Sequence, residues 1–91
     1  MARKEKVTRV IDGDTFMTSS REKPVRLANY DAPERGKRGY TASKDALGSM
    51  ISGKTVSVDV KARDVYGRAV ANVKVGNRSV NAAMRNRTKR K

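Results

Sequence analysis

The 91-residue sequence has no cysteine and no histidine. Without cysteine there is no disulfide and no thiolate metal site. Without histidine there is no imidazole to act as base, to pair with a nucleophile or to ligate a metal. Any catalysis must use carboxylates, guanidinium, ammonium, hydroxyls or metal-bound water. Tryptophan is absent as well, beside one phenylalanine and three tyrosines. Hydrophobic residues make up 36% of the chain, which is lean for a core. That core must be built mostly from valine and alanine. No apolar run is long enough to span a bilayer. Arg3, Lys4 and Lys6 are not followed by the apolar stretch of a leader, so a cytoplasmic location is expected.

Negative charge is scarce too. Nine Asp and Glu face 22 Lys and Arg, a net charge of +13. An excess of that size favours a polyanion partner, most simply nucleic acid, with an anionic membrane surface as runner-up.

The length suits one domain over residues 1–91, with a basic lead-in over 1–6 and a basic tail over 86–91. Val7 to Ile11 reads as a strand. Asp12-Gly13-Asp14 is turn chemistry, and Asp14 to Ser19 reads as a second strand. Ser19 to Lys23 is a polar hairpin loop, and Pro24 opens a third strand. From Thr41 the period becomes helical through Ala42, Ala46, Leu47, Met50 and Ile51. Thr41 is the expected N-cap, Gly53 the stop, and Gly48 costs some stability. Val56, Val58 and Val60 alternate as a half-buried strand. Ala62 to Tyr66 connects it to another strand over Gly67 to Val75. Ser79 is placed to cap a short last helix carrying Val80, Ala83 and Met84. Three strands, a helix, two strands and a helix give a mainly β, α+β architecture. The expected form is a five-stranded antiparallel OB-fold barrel plugged by the helix.

One stretch concentrates the chemistry. In Val25-Arg26-Leu27 the apolar residues alternate with a guanidinium, and Asp31, Pro33 and Glu34 follow. Two carboxylates and an arginine thus share one end of one strand. Crowded carboxylates are costly without positive charge among them, and a hard divalent cation is an obvious candidate. The competing reading is that acidic residues merely decorate a turn. Asp12 is read as a turn former. Tyr30 and Tyr40 can stack on bases, although Tyr40, just before a helix, suits partial core burial better. Arg35, Lys37 and Arg38 form a glycine-flanked basic loop that is either solvated or in contact with phosphate. Arg85, Arg87, Lys89, Arg90 and Lys91 read as a frayed basic tail.

Three segments taken in order resemble the staphylococcal (micrococcal) nuclease family. They are Val10-Ile11-Asp12-Gly13-Asp14-Thr15, Val25-Arg26-Leu27 through Asp31-Ala32-Pro33-Glu34, and Asp64-Val65-Tyr66-Gly67-Arg68. The resemblance runs from Val7 to Arg85. It implies an OB-fold and calcium-dependent hydrolysis of phosphodiesters in DNA and RNA, by endo- or exonucleolytic cleavage. By the same resemblance, Asp14 and Asp31 are calcium ligands, and Ala32 ligates through its backbone carbonyl. Glu34 activates or orients the attacking water. Arg26 and Arg68 grip the phosphate, and Tyr66 lies beside it. The expected partner is single-stranded DNA or RNA, not a membrane, and the expected state a monomer.

The chain departs from the family pattern at Val65, where the family usually has lysine. The family's catalytic domain also continues beyond the second helix, so marginal stability is expected here. The physics of phosphoryl transfer agrees with the residue set. Charge builds on the phosphate oxygens, and a cation with two guanidinium forks neutralises it. The alternatives are a non-catalytic OB-fold nucleic-acid-binding module and a small basic protein binding structured RNA.

Overall fold

The computed structural model describes residues 2–88. The first strand, β1 (Arg3–Asp12), is long enough to serve two neighbours. Arg3 to Lys6 pair with β4 (Thr55–Arg63), and Val7 to Asp12 pair with β2 (Thr15–Thr18). Register shifts at Val7/Arg9 and Val10/Asp12 bend the strand between them. β2 then pairs with β3 (Val25–Leu27), and β4 with β5 (Ala69–Val75). These junctions are all antiparallel. The ring closes where β3 pairs with β5, and that junction is parallel. A crossover through α1 (Tyr40–Ile51) and β4 separates the two strands, so β5 returns in the direction of β3. The result is a closed, five-stranded mixed barrel with an OB-like α+β fold. A two-residue strand, β6 (Arg78–Ser79), adds to the far end of β5 and leads into α2 (Val80–Thr88).

Valine builds the interior as the composition implies. Val7, Val25, Val56, Val58 and Val73 are buried around Phe16. α1 presents Ser43, Leu47 and Ile51 to them at four-residue spacing. Its N-terminus corrects the sequence expectation. Gly39, with φ 87°, occupies the cap position without a side-chain bond, and Thr41 lies inside the helix. Gly53, with φ 73°, follows the helix as expected. At the second helix, Ser79 Oγ accepts the Ala82 amide at 3.1 Å, as a capping serine does. The helix continues to Thr88, so residues 86–88 are helical and not a frayed tail. Lys89, Arg90 and Lys91 lie outside the described residues. Asn81 locks α2 to the barrel closure. Its Oδ1 accepts the Val73 amide at 2.8 Å, and its Nδ2 donates to the Ala28 and Ala71 carbonyls at 2.9 and 3.0 Å. No helix among the described residues is long and apolar enough to cross a membrane.

β1 begins at Arg3, inside the stretch read as a lead-in, because Arg3 to Lys6 pair with β4, and one inward position of this stretch is charged. Glu5 is 4% exposed. It accepts Thr18 Oγ1 at 2.7 Å and Arg21 Nε at 2.9 and 3.0 Å, and pairs with Arg21 Nη2 at 2.8 Å. Burial raises its carboxyl pKa, but the hydrogen bonds from Arg21 and Thr18 and the Arg21 charge outweigh that and hold it below the usual glutamate value. A depressed carboxylate stabilises the fold fully above the unfolded-state pKa, and this stability is lost as pH falls through the folded value. Glu5→Gln should therefore lower stability at neutral pH by about 1–3 kcal/mol, the worth of hydrogen bonds to a charged group. It should also flatten the loss of stability below pH ~4.3. Urea melts across pH 3–7 check both effects; an unchanged acid limb would remove Glu5 as its cause.

Candidate functional site

The site is assembled where β1 hands over to β2 and where β3 ends. Gly13 lies under α1 at close approach. A Cβ there would stand 1.8 Å from Ser43 Oγ, 2.7 Å from Ser43 Cβ and 3.0 Å from Ala32 Cβ. The glycine lets the next residue, Asp14, settle into a buried pocket. Asp14 Oδ1 accepts Thr15 Oγ1 at 2.8 Å, and Oδ2 accepts the Ala32 amide at 3.0 Å. Its backbone carbonyl also receives the Leu27 amide at 2.8 Å. One carboxylate thus ties β2 to the segment after β3.

Val25 and Leu27 point into the core, so Arg26 between them faces outward. Its Nη2 is 3.4 Å from Asp14 Oδ2 and bonds Asp31 Oδ1, while Nη1 donates to the Leu27 carbonyl at 3.2 Å. The chain then turns at Asn29, whose φ is +60°. Tyr30 drops into the core, and its hydroxyl shares a hydrogen bond with Ser43 Oγ at 3.1 Å. That burial rules out base stacking by Tyr30. Tyr40 is half-buried, with its hydroxyl donating to the Ile11 carbonyl at 3.3 Å. Asp31 and Glu34 stay exposed.

Arg68 approaches from the turn between β4 and β5. Asp64 organises that turn. Its Oδ1 accepts the Tyr66 amide at 3.0 Å and the Arg68 amide at 2.9 Å, while its Oδ2 accepts Arg68 Nε at 2.6 Å. Gly67, at φ 82°, takes the left-handed conformation the turn requires. Desolvation raises the Asp64 pKa, but the backbone and side-chain bonds from Arg68, then the Tyr66 amide, bring it below the usual aspartate value. The Arg68 guanidinium carbon sits 5.3 Å from the centre of the Tyr66 ring. Sequence reasoning gives Asp64 no role of its own. Its signal is its place at the head of a turn, four residues before the arginine.

These elements enclose a cleft of about 440 Å³ lined by Asp12, Asp14, Arg26, Asp31, Ala32, Pro33, Glu34 and Arg68. Asp14, Arg26, Asp31, Ala32, Glu34 and Arg68, from the set read in the sequence, therefore meet in one place. Asp12, read as a turn former, also contributes to the wall. Tyr66, Arg35, Lys37 and Arg38 do not line the cleft. Tyr66 is 74% exposed and reaches the cleft only through Arg68. Arg35, Lys37 and Arg38 lie exposed on the loop, within two turns closed by the Lys37 amide on the Glu34 carbonyl and the Tyr40 amide on the Lys37 carbonyl.

A family model described as staphylococcal nuclease homologue matches residues 24–87. The chain belongs to the staphylococcal nuclease family. Among relatives, an uncharacterized endonuclease of Escherichia coli O157:H7 is 43% identical over 70 residues, covering 75% of this chain and 46% of that protein. Protein ParB of Escherichia coli is 38% identical over 89 residues, 86% of this chain and 50% of its own length. A micrococcal nuclease of Shigella flexneri is 35% identical over 66 residues, 70% of this chain and 38% of its own length. The chain spans half or less of the length of these relatives. The family match takes in Arg26, Asp31, Glu34 and Arg68 but begins after Asp14. Asp14 is tied to those residues by its bond to the Ala32 amide and its pairing with Arg26.

Members of the staphylococcal nuclease family are generally metal-dependent. The donors of this cleft suit a hard cation, because Asp14 and Asp31 converge on one guanidinium and both offer oxygen. Among the described residues, no group of three or more Asp, Glu, His or Cys is close enough to hold an ion by side chains alone. Further ligands would have to come from backbone carbonyls or water, which is usual for Ca²⁺ and Mg²⁺.

Proposed function

We propose that this chain is a calcium-dependent nuclease that hydrolyses phosphodiester bonds in single-stranded DNA or RNA, acting as a monomer. The observation that carries the reading is the shared cleft. Four carboxylates, Asp12, Asp14, Asp31 and Glu34, line it together with Arg26 and Arg68. A module that only binds polyanions gains nothing from negative charge in its cleft.

Arg26 and Arg68 receive the scissile phosphate through planar donor forks that match its oxygens. Arg26 exchanges its bond to Asp31 for the phosphate. Asp64 holds Arg68 in its rotamer, so little ordering remains when substrate binds. Glu34 stays exposed at the cleft wall, free to accept a proton from the attacking water. Asp14 and Asp31, with the carbonyl of Ala32, would hold the cation, which when bound neutralises phosphate charge and makes water a stronger nucleophile. Tyr66 flanks the phosphate from outside the cleft, and Arg35, Lys37 and Arg38 attract the strand electrostatically.

Cleavage of a labelled single-stranded DNA is expected with millimolar calcium and should cease with chelator, returning when calcium is restored. Binding without cleavage under every divalent cation would instead support an OB-fold binding module.

A further inference from the structure

A second, smaller cavity of about 250 Å³ is lined by Arg21, Glu22, Lys23, Arg63 and Ala69. Its lining is linked to that of the cleft through the chain. Ala69 follows directly on Arg68, and its amide donates to the Pro24 carbonyl at 3.2 Å, joining the β2–β3 loop to the start of β5. Two cations pack on the Asp64–Arg68 turn from this side. Lys23 lies over Gly67, where a Cβ would stand 3.0 Å from its Cδ and 3.8 Å from its Nζ. Arg63 Nη1 donates to the Gly67 carbonyl at 3.3 Å. The turn that aims Arg68 into the cleft therefore has Lys23 and Arg63 on its other flank.

The charges of this cavity divide unevenly. Arg21 is engaged by Glu5. Lys23 and Arg63 carry the remaining positive charge against the single carboxylate of Glu22. On the proposed function, an anion of matching chemistry is the phosphate backbone of a strand bound in the cleft. We propose that Lys23 and Arg63 form a second phosphate subsite, which binds the polynucleotide backbone outside the scissile linkage. The proposal rests on the cleft being the place where the scissile phosphate binds. The subsite makes the protein a reader of strand length. A dinucleotide fills the cleft alone, whereas a longer strand crosses the Gly67 turn and places a further phosphate between Lys23 and Arg63.

The test uses the full 91-residue chain with chelator present, so that binding is measured without cleavage. The probes are a 5′-phosphorylated thymidine dinucleotide and a twelve-residue oligothymidylate. Lys23→Ala and Arg63→Ala should each weaken binding of the longer strand by about two- to fivefold, the worth of an exposed ion pair. The slope of log affinity against log salt should become shallower by about 0.7 for each single-strand phosphate that is no longer neutralised. Dinucleotide affinity should stay within experimental error of the parent. Lys23 is an exposed loop residue, so its variant is not expected to disturb folding, and a melt of each variant verifies this. Arg78→Ala removes one charge at the opposite end of β5 and should leave the slope unchanged.

Equal losses for the dinucleotide and the longer strand would overturn the subsite, because Lys23 and Arg63 would then act only by shaping the Arg68 turn. A loss no larger than that of Arg78→Ala would also overturn it, leaving general attraction alone. Failure of the nuclease reading is separable. If the parent does not cleave with calcium but shows the length-dependent loss, the subsite stands on a binding protein. If the parent cleaves and the length effect is missing, the subsite alone falls.

Discussion

Arg26→Lys should reduce turnover on single-stranded DNA by about 10²–10³-fold, in the range seen when one preorganised transition-state donor is lost. Arg26 spreads its donors over three acceptors: Nη1 on the Leu27 carbonyl, and Nη2 facing both Asp14 and Asp31. Lysine keeps the positive charge but offers one nitrogen, which cannot hold the backbone carbonyl and also present a fork to phosphate. Binding of nucleic acid should change little, because the count of 22 basic residues is preserved. Arg38→Lys on the exposed loop should leave turnover unaffected. The measurement is cleavage with calcium and binding without it for both variants. Unchanged cleavage by Arg26→Lys would remove Arg26 from the reaction. A parallel fall of binding and cleavage would make it a residue that only positions the strand.

Gly13→Ala is expected to damage stability and activity together. The methyl would overlap Ser43 Oγ and Cβ and press on Ala32 Cβ. Ser43 is fully buried and shares a hydrogen bond with Tyr30, so it cannot swing away freely. The helix or the Asp12–Asp14 segment must move, at a cost of about 1–3 kcal/mol as for other overpacked cores. Either movement pulls Asp14 from the Ala32 amide. A misplacement of about 1 Å in a catalytic group can cost ~10²-fold in rate. Denaturant melts and cleavage rates measure the two effects. Ser43→Gly in the same chain should recover part of the stability, less about 1 kcal/mol for a glycine in the helix. The double-mutant cycle should therefore show favourable coupling. A Gly13→Ala protein as stable and active as the parent would mean that close approach is not why glycine stands there.

Gly13 also shows where the sequence stops being legible. Asp-Gly reads as turn chemistry, yet what forbids a side chain here is α1 passing overhead, a contact between residues thirty apart. Glu5 is hidden for a similar reason. A charge at an inward strand position breaks the apolar alternation, and its partner Arg21 lies 16 residues away. The parallel closure of β3 on β5 follows from the crossover path, which no local period records. Tyr30 could not be placed because a lone tyrosine beside an acidic turn suits core and cleft equally. In contrast, the alternation of Val25, Arg26 and Leu27 fixes the outward direction of the arginine. The helical spacing of Leu47 and Ile51 locates α1. The order of Asp14, Arg26, Asp31, Glu34 and Arg68 marks residues that the barrel gathers into one cleft.

The most direct measurement compares calcium-dependent cleavage of one labelled single strand by the parent chain and by Asp14→Asn, purified side by side. Asp14 is buried, so its amide variant removes charge from the cleft without changing side-chain volume. Cleavage by the parent and a loss of about 10²-fold or more in Asp14→Asn is the expected result, because the proposed function assigns the cation's side-chain donors to Asp14 and Asp31. Equal cleavage by the two proteins, or none by the parent, would contradict a metal-dependent phosphodiesterase centred on this cleft.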